Sequence, residues 1–82
     1  MLDESQIRSR IRTMLETGAL PCDEPAATWA GSGEGKRCVA CTETIAPTEV
    51  EFEVDLASGI TLRLHRACYA VWREECEPTP TA

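Results

Sequence analysis

Large aromatic residues are scarce in this chain: one Phe, one Tyr and two Trp among 82 residues. So short a chain has little apolar surface to bury in any case, which excludes a core that is comfortably stable alone. Histidine occurs once, so if a metal takes that imidazole, none is left as a general base. No apolar run approaches the roughly 18 residues that span a bilayer, and no membrane association is expected. The opening Met1-Leu2-Asp3-Glu4-Ser5 lacks the cationic start and apolar stretch of a secretory signal. A cytoplasmic protein with reduced thiols is therefore expected. Positive charge is also in deficit, with 8 Lys and Arg against 14 Asp and Glu and a net charge of −6. That field repels phosphate backbones at long range and disfavours nucleic-acid binding by the whole surface.

Cysteine, by contrast, is plentiful. Five are present, an odd number that would leave one thiol over in a purely disulfide-bonded scaffold. A domain of this size needs a staple, and clustered cysteines in a reducing compartment hold metal more often than they bridge.

Along the chain, residues 1–18 form an N-terminal unit with an amphipathic helix over 2–17. Asp3 is the N-cap, and Gln6 lies three residues on, where it can return the capping hydrogen bond. Leu2 and Ile7 occupy the positions of a hydrophobic staple, and Ile7, Ile11, Met14 and Leu15 form one apolar stripe. Gly18 stops the helix and Pro21 prevents its resumption. Arg8, Arg10 and Arg12 lie off the stripe, either as a solvated flank or as a basic face for an acidic partner or the protein's own acidic hairpin.

Residues 19–37, with Pro21, Pro25, Gly31, Gly33 and Gly35, read as an irregular linker. Trp29 is expected to pin it to the first helix or the metal module, with ligand stacking as the alternative role. The run Gly31-Ser-Gly-Glu-Gly35-Lys36-Arg37 is not a phosphate-binding loop. Its spacing is one residue short, Arg37 stands at the Ser/Thr position, and no helix follows. The glycines instead let the backbone turn tightly into the metal site.

Residues 49–64 alternate as a β-hairpin. Val50, Phe52, Val54 and Leu56 face one way, with Ile60, Leu62 and Leu64 on the return strand; Glu49, Glu51, Glu53 and Asp55 face the other. A loop Ala57-Ser58-Gly59, with Gly59 left-handed, sets Phe52 opposite Leu64, Val54 opposite Leu62 and Glu53 opposite Arg63. Residues 66–76 form a helix with Cys68, Val71, Trp72 and Cys76 on one face, and 78–82 are expected to be a disordered tail.

The chemistry lies in Cys38-x-x-Cys41, 23 residues, then His65-x-x-Cys68. Two residues between cysteines form a tight knuckle, and Cys₃His is a structural zinc set. The hairpin spans the long spacer and returns His65 and Cys68 to the knuckle. One structural Zn²⁺ is the expected cofactor. Four protein ligands leave no open position for water, and no deaminase-like His-x-Glu precedes the cysteine pair. An enzyme is not expected. A redox Cys-x-x-Cys would need a helix N-terminus after a strand, and Gly35-Lys-Arg37 is no such strand. Cys22 reads most simply as a free thiol and Cys76 as packing. A bridge between them, or either one as fourth ligand if His65 faces away, is the alternative.

The stretch Cys38–Cys76 resembles a treble-clef zinc finger, and its ligand pattern is similar to the first zinc half of a LIM domain. It departs from LIM after Cys68, where no second quartet follows and Tyr69-Ala-Val-Trp72 continues as helix. The chain as a whole resembles small bacterial-type proteins. The likeness covers about half the chain. It implies a small α+β zinc-finger fold: N-terminal helix, linker, zinc knuckle, hairpin and C-terminal helix, with a metal-built module over 38–77. For such families it also implies binding to proteins or nucleic acids. The closed site, the acidic surface and an N-terminal helix too short to be stable alone point to a protein-interaction or regulatory module, through a protein partner or self-association by that helix. A nucleic-acid-binding finger or small transcriptional regulator, using Arg8, Arg10, Arg12, Lys36 and Arg37, is the second expectation.

Overall fold

The computed structural model describes residues 3–76. Its elements are α1 (Glu4–Thr17), β1 (Pro25–Ser32), β2 (Val50–Leu56), β3 (Thr61–His65) and α2 (Arg66–Cys76). The three strands form one antiparallel sheet in the order β1-β2-β3, so the fold is α+β. α1 packs on α2, and α2 packs on β2 and β3.

Local signals place α1. The Asp3 side chain accepts from the Gln6 amide at 2.9 Å, and Gln6 Oε1 accepts from the Asp3 amide at 3.0 Å. This closes the capping box and satisfies amides that the helix leaves unbonded. Gly18 ends the helix at φ 79°, in the left-handed region. Leu2, the outer half of the expected staple, lies outside the described residues, as does the tail at 78–82. Ile7 and Ile11 are buried, with Met14 and Leu15 at the margin. Full burial of each isoleucine contributes about 1.5–3 kcal/mol, so α1 docks on the rest of the chain by its stripe.

Its arginines find a partner other than the hairpin. Arg8 pairs with Glu74 and Glu75, each at 2.6 Å, and Arg12 pairs with Glu75 at 2.7 Å. Arg10 Nε donates to the Ala40 carbonyl at 2.7 Å. α1 contacts α2 and none of the strands, so the acids of α2 are within reach and those of the hairpin are not.

The hairpin has the expected register, with Phe52 opposite Leu64, Val54 opposite Leu62 and Glu53 opposite Arg63. Gly59 turns it at φ 95°. Val54, Leu56, Leu62 and Leu64 join Val71 and Trp72 in the core, and Phe52 stacks on Tyr69 at 4.5 Å. Val50 and Ile60, at the ends, are exposed, and Glu51 on the opposite face is buried.

Residues 19–37 differ most from expectation. Residues 25–32 are not irregular; they form β1 against β2, with Trp29 opposite Glu53 and a register shift between Pro25 and Ala27. β1 buries no residue on either face, so it carries no apolar alternation, and its backbone bonds to β2 are indifferent to side chain. Trp29 does not pin this segment; it is 54 % exposed. The pinning indole is Trp72, fully buried, whose Nε1 donates to the Pro21 carbonyl at 2.9 Å. Leu20 is buried beside it. Cys22 is not a free thiol and Cys76 is not mere packing. The two form a disulfide with Cα atoms 5.4 Å apart, because the Trp72 contact holds 20–22 against the end of α2. Among the described residues, no helix is long and apolar enough to cross a membrane.

Candidate metal centre

The first pair of candidate ligands sits on a turn. The Cys38 amide donates to the Glu43 carbonyl at 2.9 Å, and the Thr42 amide donates to the Cys38 carbonyl at 2.9 Å. The chain closes on itself here, and Thr42 takes φ 64°, a left-handed conformation that a branched side chain rarely adopts. Its hydroxyl donates to the Cys41 carbonyl at 2.6 Å. The Val39 amide donates to the Arg63 carbonyl at 2.9 Å, which docks the turn on β3. Gly33 lies against the backbone of Ile45 and Ala46, so a close backbone approach brings the chain past the site.

The second pair comes from the junction of β3 and α2: His65 ends the strand and Cys68 lies in the first helical turn. The fold brings Cys38, Cys41, His65 and Cys68 together. All four are buried, and their ligand atoms lie within 4.8 Å of one another, a group that could hold one metal ion. His65 does not face away, since its Nδ1 is 3.2 Å from Cys41 Sγ.

The other imidazole nitrogen finds a residue that sequence reasoning missed. His65 Nε2 is 3.5 Å from Glu49 Oε1. That oxygen also accepts from the Ala46 amide at 2.8 Å, and the Glu49 amide donates back to the Ala46 carbonyl at 2.9 Å. Glu49 is therefore held in place to orient the ring, as carboxylates behind metal-bound histidines do. The signal for it was the register, since Glu51 pairs with His65 and Glu49 lies two residues before Glu51, at the same sheet end.

The electrostatics of the cluster are those of three sulfurs that share too little charge. The Cys68 thiol donates to Cys38, which lowers the Cys38 pKa to about 4 against the cost of burial. Cys68, the donor to that thiolate, is raised in turn. Cys41 is raised by burial and the Cys38 charge. Burial would lower His65, but its bond to Cys38 and the charges of Cys38 and Glu49 outweigh burial and raise it. One thiolate among protonated partners is what a cation would convert to a fully ionised set, with proton release.

No protein-family model matches this chain, and neither does any curated protein or solved structure.

Proposed function

We propose that the chain is a zinc-stapled, treble-clef-like module that acts by binding a protein partner, with the metal structural and not catalytic. The observation that carries this reading is the closed donor set, three thiols and an imidazole buried within 4.8 Å of one another. Zinc ligands at about 2.0–2.3 Å form a tetrahedron with edges of roughly 3.5–3.8 Å, which fits inside the 4.8 Å span of these donors. The softness of thiolates favours zinc over hard cations. A fourth protein ligand in place of water argues for a structural ion. Knuckle, hairpin and helix bearing the second pair follow the treble-clef order. The nucleic-acid reading loses support from the arginines meant to carry it, since Arg8 and Arg12 are paired with acids and Arg10 with a carbonyl.

Two measurements test the proposal. The purified protein should contain one zinc per chain and lose it on Cys38→Ser, Cys41→Ser, His65→Ala or Cys68→Ser. Zinc retained in all four variants overturns the metal assignment. In native extracts the 9.0 kDa chain should elute in a larger complex. Elution as a strict monomer, with no companion chain, overturns the binding role.

A further inference from the structure

The outer face of the sheet carries a second cluster, which meets the metal centre only at His65. Directly paired residues share a face, so Trp29, Glu53 and Arg63 form one row there, and Gly31, Glu51 and His65 the next. Trp29, Gly31, Glu34, Glu51 and Glu53 line a shallow cleft of about 150 Å³. Gly31 leaves it open, with nothing within 4 Å of where a Cβ would be.

Glu51 is the independent sign that a donor belongs in this cleft. Its side chain is only 7 % exposed. Oε2 accepts from Arg63 at 3.0 Å, while Oε1 is buried with no hydrogen-bond partner among the described residues. A buried carboxylate oxygen without a donor is costly. Arg63 does not cure this, because the same Nη1 that reaches Glu51 also pairs with Glu53 at 2.7 Å. Three carboxylates, Glu34, Glu51 and Glu53, thus line the cleft, where the one guanidinium of Arg63 is shared between Glu51 and Glu53, beside the half-exposed indole of Trp29.

We propose that this cleft receives the cationic side chain, arginine or lysine, of a basic segment in a partner protein. The inference rests on the reading of the chain as a partner-binding module and names the chemistry of the partner. A cation supplies the donors that Glu51 lacks, balances the excess carboxylates and lies against the Trp29 ring, whose face attracts positive charge. A peptide fits better than a free ion because β1 is the edge of the sheet. Pro25–Ser32 carries no charged residue to guard that edge, so an extended segment can add alongside it. The net charge of −6 draws such a segment in.

The test uses the zinc-loaded full chain and three peptides of equal length: alternating Arg-Ser, alternating Lys-Ser and neutral Gly-Ser. Titration should give saturable binding of one or both basic peptides and none of the neutral one. The two basic arms distinguish guanidinium from ammonium. Tryptophan fluorescence should report it, and Trp29→Phe should abolish the signal, since Trp72 is buried. Glu53→Gln and Glu51→Gln should each weaken binding by about tenfold or more. Glu16→Gln, the same loss of charge on the exposed face of α1, should change it by less than about twofold. Glu53 is partly exposed, so its variant serves if Glu51→Gln fails to fold. No saturable binding, or equal loss in Glu16→Gln and Glu53→Gln, overturns the proposal. A native complex that persists despite either outcome would leave the partner-binding role standing and remove only this cleft from it.

Discussion

One methyl group added at Gly33 should unsettle both the fold and the metal centre. A Cβ built there would lie 2.2 Å from the Ala46 carbonyl oxygen, 2.6 Å from that of Ile45 and 2.8 Å from the Ala46 carbonyl carbon. All three are backbone atoms, so no rotamer change relieves the clash, and the 45–46 backbone must retreat by about 1 Å to reach ordinary contact. That retreat strains the Gly33-to-Glu49 and Gly35-to-Ile45 bonds, at 2.9 and 3.0 Å, and disturbs the fully buried Ile45. Overpacking at about 1–3 kcal/mol, with one or two weakened backbone bonds at about 0.5–1.5 kcal/mol each, brings the expected loss to about 3 kcal/mol. Domains of this kind have only about 5–15 kcal/mol in total. Gly31→Ala is the control, because that position is open and lacks a left-handed φ; it should stay within about 0.5 kcal/mol of wild type. Urea unfolding of the zinc-loaded proteins measures both changes. Competition with a chromogenic chelator should show weaker zinc retention in Gly33→Ala alone, since the displaced Ala46 amide and carbonyl hold Glu49 behind His65. If the two alanine variants are equally stable, the inferred close approach at Gly33 is wrong.

Glu49→Gln removes the charge behind His65 and should weaken zinc affinity by about tenfold or more; unchanged competition with a chelator would show that the ring is oriented without it. The double variant Cys22→Ser/Cys76→Ser opens a loop of sequence separation 54 and should cost up to about 4 kcal/mol. Reduction should lower the stability of wild type but not of that variant, and loss of zinc in the variant would contradict the separation of bridge and metal site. Glu75 titrates below its ordinary value of 4.5, because Arg12 and Arg8 donate to its charged form. Its contribution is therefore present above the unfolded pKa and is lost as pH falls through the folded one. Wild type should be more stable than Glu75→Gln near pH 7, and the gap should close in acid. A gap unchanged from neutral pH into the acid range would refute the pairing.

The parts of this protein legible in the sequence are those set by short-range rules. Asp3 and Gln6 cap α1 because a capping box needs only three residues of spacing. The hairpin register follows from period-two alternation on both faces and one left-handed glycine. The two ligand pairs were readable because each holds its members within one turn of chain, and the intervening hairpin has a length that brings its ends together. Only the tertiary structure decided the rest. β1 carries no periodic signal, and backbone pairing with β2 made it a strand. Which tryptophan is buried depended on α2 lying between α1 and the sheet, which encloses Trp72 and leaves Trp29 on the outer face. The bridge between Cys22 and Cys76, the pairing of Arg8 and Arg12 with Glu75, and the approach of Glu49 to His65 all join residues 16 or more positions apart. No local spacing encodes such contacts. They exist because the buried stripe of α1, the indole of Trp72 and the sheet order leave those side chains nowhere else to meet.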